Sequence, residues 1–350
     1  MPENLLQDIL RVVNEARNQG LDEYQQAAWR VERIRGGMNN ALYRVKSGEA
    51  VFACKLCVLD ERRRAEREYT ALELLHQRGI DIAPKPVGID RSGSSVLYPA
   101  VVYEWCEGSP MNPERNSSHL HILLDSVQSM HACRPEPDDR RRLRIPVQKA
   151  WFHWFERTPY IDELSDFMEK YAPWLRRISN EGQALSKRLE RLVRAGGERL
   201  AGMPVALDCE ALPLCFCHVD PNSNNAILGA DGQVRWVDWE YSGWGDPALD
   251  LAEYRWHIAY AGLSASQQAW FREAYQPAQD DINFMQRLAF WDGLLAVRWP
   301  LLLLRWLWSR EHGPDRMRLS TVEAEKTDLW GRLVWLIERA EQFYTRPFGF

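Results

Sequence analysis

The chain has 350 residues, 45% hydrophobic and 27% charged, with a formal net charge of -5. That length exceeds what one compact core usually holds, so two lobes or domains are expected. The slight acidic excess argues against a nucleic-acid binder working through a broad basic field.

The opening stretch MPENLLQDILRVVNEARNQG lacks the charged-then-apolar pattern of a signal peptide. Leu5, Ile9, Val12 and Val13 instead mark an amphipathic helix. LYRVK and AVFACKLCV flank SGEA, a turn sequence, and read as a β-hairpin. DERRRAEREYTALELLHQRG follows as a charged helix with a solvated face, an apolar stripe at Tyr69, Leu72 and Leu75, and a stop at Gly79. SSVLYPAVVYEWCEG supplies more strand, which makes residues 28–108 a small sheet with one packed helix, preceded by a helical extension over 1–27. After the turn-rich EGSPMNPERN the pattern becomes helical, with helices expected at LHILLDSVQSMHA and around 181–200, 248–260, 283–310 and 321–344. Only AILGADGQVRWVDW breaks this larger 109–350 region, as a hairpin turning at Asp231-Gly232.

The longest apolar run, WPLLLLRWLW, is interrupted by Arg305 and too short to span a bilayer, so no membrane partner is expected. The seven cysteines are odd in number and scattered, as in a reducing compartment, so a cytoplasmic location is expected. CKLC at 54–57 lies in an apolar strand where Cys54 and Cys57 point to opposite faces, and no second pair completes a zinc site.

The chemistry concentrates in FCHVDPNSNNAILGADGQVRWVDWEYSGWGDPALDLAEY, residues 216–254. His218, Asp220 and Asn225 fit H-x-D-x-x-x-x-N, the spacing of a kinase catalytic loop. There a carboxylate orients an acceptor hydroxyl and takes its proton, while an amide oxygen further on holds a metal ion. Asp238 closes the apolar run VRWVDW, where a bare carboxylate is costly to bury unless a cation partners it. Asn225 and Asp238, on the two strands of one hairpin, are candidate ligands of one Mg2+. Gly36 and Gly37 in RGGMNNALYRV give a backbone that can approach phosphates closely. Lys55 sits alone in an apolar strand, its charge needing company, and Glu68 on the next helix is placed to supply it.

These stretches, GGMNNALYRV, CKLCV, EREYTALELL, PAVVYEWCEG, HVDPNSNN and VDWEYSGWGDPALDLA, occur in one order over about residues 28–260. In that order the chain resembles the aminoglycoside phosphotransferase and choline kinase group, which has the protein-kinase-like fold. The resemblance implies an α+β, two-lobed protein with a small β-rich N-lobe and a larger, mainly helical C-lobe. It implies ATP or GTP between the lobes, with Gly36, Gly37, Asn39, Asn40, Lys55 and Glu68 near the phosphates and Glu104, Trp105 and Cys106 as the adenine-contacting linker. Asp220 would be the catalytic aspartate, His218 its structural support, and Asn225 and Asp238 the Mg2+ ligands. Asp246 and Asp250 resemble the group's structural acids. Two departures stand out: Val219 replaces the usual glycine, and PNSN replaces the commoner LHPG before Asn225.

The acceptor is expected to be a small-molecule hydroxyl, aminoglycoside-like or sugar-derived, bound by the helical region. An amino alcohol such as choline, ethanolamine or the thiamine alcohol is the alternative, and a non-catalytic nucleotide binder a third. Trp151, Trp154, Trp291, Trp299, Trp306, Trp308, Trp330 and Trp335 are divided between an acceptor surface and core, Trp330 joining Leu333, Val334 and Ile337 in a buried stripe. Glu240, Asp280, Asp281 and Asp292 are candidates to pair with a cationic acceptor, with scattered surface acids the commoner reading. Oligomeric state is not legible.

Overall fold

The computed structural model describes residues 4–35, 40–60, 63–136, 139, 157–203, 213–313, 319 and 328–345. The chain is mixed, with a β-sheet N-terminal region and a helical C-terminal part. It divides into two compact units, one of residues 1–112, 223–243 and 316–325, the other of 113–222, 244–315 and 326–350.

The first unit is built on six antiparallel strands: β1 (Glu23–Gln26), β2 (Trp29–Ile34), β3 (Ala41–Ser47), β4 (Ala50–Leu56), β5 (Pro86–Asp90) and β6 (Ala100–Glu104). Their spatial order is β1-β2-β3-β4-β6-β5. β3 and β4 form the expected hairpin, with Gly48 at φ +59° in its turn. The strand expected through SSVLYPAVVYEWCEG is confined to β6. Two helices flank the sheet, α1 (Leu5–Asn18) and α2 (Arg64–Gln77). Ile9, Leu10, Val12, Val13 and Ala16 of α1 pack with Tyr43, Val45, Phe52, Cys54 and Leu56 in one core. Because side chains alternate along a strand, Phe52, Cys54 and Leu56 face that core while Ala53 and Lys55 face the other side, toward α2. This two-sided burial explains why β4 reads as a continuous apolar run.

The DG hairpin belongs to this unit. Ala226–Leu228 pairs with Val234–Trp236, and Gly232 takes φ +76° in the turn. Ser109–Pro110 adds a third strand beside Ala226–Leu228. There Gly108, at φ +146°, lets the chain cross so close that a Cβ would lie 2.3 Å from the Leu228 carbonyl oxygen. Trp236 N–H donates to Ile82 O at 2.7 Å and ties the hairpin down.

The second unit is helical, with helices Ser117–His131, Arg157–Ile178, Asn180–Gly202, Pro247–Trp256, Ala265–Ala274, Phe284–His312 and Leu329–Thr345. The 157–178 and 180–202 helices turn on Ser179, whose side chain caps the second by accepting from Gly182 N–H at 2.9 Å. The 284–312 helix is buried along most of its length, and a Cβ at Gly196 would meet a Val297 methyl at 2.6 Å, so the missing side chain there lets Val297 seat against the 180–202 helix. The stripe of the last helix is Leu329, Leu333, Leu336, Ile337 and Ala340, one position round from the expected one; Trp330 and Val334 are only half-buried. Among the described residues no helix is long and apolar enough to cross a membrane.

Candidate active site

In the first unit, Lys55 is the centre of a charge cluster. Its Nζ donates to Glu68 Oε2 at 2.5 Å and to Asp238 Oδ1, and lies 3.8 Å from Glu240 Oε2. Lys55 is 5% exposed and Glu68 fully buried, while the Asp238 side chain is one-third exposed. The three carboxylates hold the lysine charged, with its pKa well above the ordinary value despite the penalty of burial. Burial pushes the Glu68 carboxyl up to about 7 against the pull of Lys55.

Arg64 overturns the expectation of a wholly solvated α2 face. It stands one turn before Glu68 on the same side of the helix, is 1% exposed, and donates to Glu240 Oε1. Glu240 is therefore no surface acid: it is 3% exposed, and Asn40 Nδ2 donates to its other oxygen. Asn40 Oδ1 in turn accepts Val58 N–H at 3.2 Å, so this amide links the end of β4 to Glu240. Gly36, Gly37 and Asn39 lie outside the described residues. At the end of β6, Glu104 N–H donates to Lys85 O at 2.9 Å and Trp105 N–H to Val51 O at 3.0 Å. The Arg44 guanidinium lies 5.3 Å from the centre of the Trp105 ring, and burial raises the Cys106 thiol to about 11.

Asn225 and Asp238 occupy the open end of the DG hairpin, just before its first strand and two residues beyond its second. Val237 N–H donates to Asn225 O at 2.8 Å across that end. Asp238 is in the left-handed region, φ +65°, which turns the chain away from the strand direction. An amide and a carboxylate are the hard oxygen donors Mg2+ takes, so the residues present fit such an ion. Glu68, Asp238 and Glu240 also have oxygens within 4.8 Å of one another, with the Lys55 ammonium bonded to two of them.

In the second unit, His218 and Asp220 follow the short strand Cys215–Cys217. His218 is fully buried. Its backbone N–H donates to Asp250 Oδ2 at 3.2 Å, and Val219 N–H donates to Asp250 Oδ1 at 2.9 Å. Val219 adopts φ +64°, the left-handed conformation a glycine would take without cost. Asp250 thus holds the loop in a shape its β-branched residue resists. The same carboxylate meets His131 Nε2 at 3.0 Å. Asp246 caps the 247–256 helix through Ala248 N–H at 2.9 Å and pairs with Arg287 at 2.9 Å. Asp220 Oδ1 accepts Asn222 N–H at 3.4 Å and lies 3.7 Å from His257 Nε2, a residue no motif singles out.

Two other acids read as surface groups are buried: Asp281 pairs with Arg287, and Asp292 with Arg255 and Arg272. Only Asp280 of the four is exposed. Trp291 and Trp299 are core, whereas Trp306, Trp308, Trp330 and Trp335 are half-buried; Trp151 and Trp154 lie outside the described residues. His131, Cys215 and Cys217 also converge, but both His131 ring nitrogens are engaged, with Asp250 and with Tyr275 Oη at 2.8 Å.

The sequence matches the model of the phosphotransferase enzyme family over residues 30–291. The chain belongs to that family. The chain is similar to the solved structure of spectinomycin phosphotransferase APH(9)-Ia, in complex with ADP and spectinomycin, at TM-score 0.61 and 15% identity, covering 97% of this chain and 98% of that one. It is similar to a Plasmodium vivax ethanolamine kinase at TM-score 0.58 and 17% identity, covering 90% and 82%. It is also similar to the choline kinase LicA of Streptococcus pneumoniae at TM-score 0.51 and 18% identity, covering 97% and 99%. A search of curated proteins found no match. At these identities the phosphotransferase shares their protein-kinase-like fold.

Proposed function

We propose that this phosphotransferase is a small-molecule kinase that moves the γ-phosphate of ATP to a hydroxyl of an aminoglycoside-like or sugar-derived acceptor. The observation that carries the reading is Lys55 held between Glu68 and Asp238, a cation kept charged inside the sheet unit beside an acid with metal-ligand chemistry. ADP and spectinomycin in the spectinomycin phosphotransferase structure support a nucleotide and a small hydroxylated acceptor. GTP is the other nucleotide that fits the same phosphate chemistry.

In this reading Asp220 takes the acceptor proton as the acceptor oxygen bonds to the γ-phosphorus, and the bond to the β,γ-bridging oxygen breaks to release ADP. Lys55 steadies the α- and β-phosphates. Residues 28–108, with the 223–243 hairpin that groups with them, serve the nucleotide; the rest of 109–350 carries the catalytic loop and acceptor site, and 1–27 is an N-terminal extension. Gly36, Gly37, Asn39 and Asn40 line the phosphates, Glu104 to Cys106 meet the adenine, and His218 supports the loop from within. Mg2+, held by Asn225 and Asp238, would offset phosphate charge. The expected location is the cytoplasm.

The test is a phosphate-transfer screen over aminoglycosides, sugars and amino alcohols, read as the mass gain of the acceptor, with Asp220→Asn as control. Phosphorylation of an aminoglycoside or sugar by the wild type alone supports the proposal. Phosphorylation of choline or ethanolamine alone moves the acceptor class to amino alcohols, and nucleotide binding without transfer to any acceptor contradicts an active kinase.

A further inference from the structure

His257 ends the 247–256 helix and caps the single turn that follows, its Nδ1 accepting Ala259 N–H at 3.1 Å. An imidazole that accepts at Nδ1 carries its proton on Nε2. That Nε2 lies 3.7 Å from Asp220 Oδ1. The side chain is 11% exposed and is held edge-on to Trp299, ring centroids 4.7 Å apart. Burial pushes the imidazole pKa down to about 3, so it is neutral near pH 7. A separation of 3.7 Å is longer than a hydrogen bond, and a shift of under about 1 Å closes it, the kind of tightening that substrate binding produces at catalytic contacts.

We propose that His257 is a positioning residue for Asp220, donating its Nε2 proton to Oδ1 so that Oδ2 is presented to the acceptor hydroxyl. Asn222 N–H grips the same Oδ1 at 3.4 Å. A neutral donor suits this task, because it fixes the carboxylate without the loss of basicity that an adjacent cation imposes. The inference rests on Asp220 being the base of the proposed transfer. It adds a second histidine to the site, 37 residues after Asp220 by the sequence numbering (257 − 220) and outside the H-x-D pattern.

Two substitutions separate positioning from mere capping of the turn. In His257→Asn the shorter amide still accepts Ala259 N–H but does not reach Asp220; in His257→Gln the longer amide presents an N–H near the Nε2 position. Histidine-labelled protein gives an activity-independent readout through two-bond 1H–15N spectra, with His257 assigned by its loss in the Asn variant. The expected result is a neutral ring with bare Nδ1 and protonated Nε2, whose Nε2 shift moves in Asp220→Asn. Protonation on Nδ1, or an Nε2 shift indifferent to Asp220→Asn, overturns the proposal.

Turnover of Mg·ATP, with spectinomycin, hygromycin B, choline and ethanolamine as probe acceptors, is the second readout. His257→Asn is expected to lower kcat between about 10-fold and about 100-fold with KM for ATP unchanged, the scale set by a misplaced catalytic group. His257→Gln is expected to recover most of that loss. Full turnover in His257→Asn, beside a crippled Asp220→Asn, sinks this inference alone. Full turnover in Asp220→Asn sinks the underlying reading of the base. If no probe acceptor turns over, the imidazole spectra decide.

Discussion

Lys55 and Glu68 form a buried ion pair, Nζ to Oε2 at 2.5 Å, with the carboxylate fully excluded from solvent. Asp238 shares the same ammonium, and Glu240 stands 3.8 Å from it. Lys55→Met removes a cation these carboxylates share while keeping the bulk of the stem. The unfolding free energy is expected to fall by about 3 kcal/mol, the low end for breaking a buried pair because Asp238 is partly solvated. Added Mg2+ without nucleotide is expected to raise the melting temperature of the variant more than that of the wild type. Calorimetry with and without the ion checks both statements, and an unchanged melting temperature contradicts the first.

Asp250 accepts the backbone N–H groups of His218 and Val219 and meets His131. Asp250→Ala strands those buried donors, each costing about 1–3 kcal/mol. Urea midpoints are expected to show a loss of about 3 kcal/mol or more. A loss below about 1 kcal/mol contradicts this anchoring role of Asp250.

Val219 at φ +64° stores strain that a glycine does not. Left-handed backbone costs a β-branched residue about 1–3 kcal/mol, and glycine's extra unfolded-state freedom takes back about 0.5–1. Val219→Gly is therefore expected to stabilise the protein by about 1 kcal/mol, read from denaturation midpoints. Destabilisation means that packing of the valine side chain outweighs the strain.

His257 and Glu253 respond to acid in opposite directions. Burial lowers His257 from 6.5 to about 3, so the unfolded chain takes that proton first, and the stability it contributes is lost as pH falls from 6.5 toward 3. Burial raises Glu253 from 4.5 to about 7, so its contribution is complete below 4.5 and lost as pH rises toward 7. Each slope is about 1.4 kcal/mol per pH unit inside its window, and between pH 4.5 and 6.5 they oppose each other. His257→Asn leaves the Glu253 slope uncovered. Relative to wild type, the variant is expected to gain up to about 2 kcal/mol on going from about pH 7 to about pH 5. Parallel stability curves contradict the linkage.

The sheet, its hairpin and most of the long helices are legible because their signals are local: alternation in LYRVK, Gly48 and Gly232 in turns, an apolar stripe in LLQDILRVV. The helix Arg157–Ile178 is not legible in the sequence because Pro173 lies inside it, a residue that usually ends helices. The helix Ala265–Ala274 carried a readable signal, the S-x-x-Q box of Ser264 and Gln267, which closes in the structure through both expected hydrogen bonds. Strand β1 in QGLDEYQQ has little apolar character and forms by pairing with β2. Lys55 and Glu68 were legible as partners because a charge in an apolar strand demands one. Glu240, and Arg64 within the charged run of α2, carry no local sign of burial because it depends on α2 meeting the segment after the hairpin. His257 had no sequence signal at all; only folding places it 3.7 Å from Asp220.

Calorimetric titration of ATP into wild type and Asp238→Ala, each with and without Mg2+, tests the proposed phosphoryl-transfer site most directly. The prediction is Mg2+-strengthened binding in the wild type and loss of that strengthening in the variant, with residual metal-free binding retained. Equal Mg2+ dependence in the two proteins, or no ATP binding by the wild type, contradicts it.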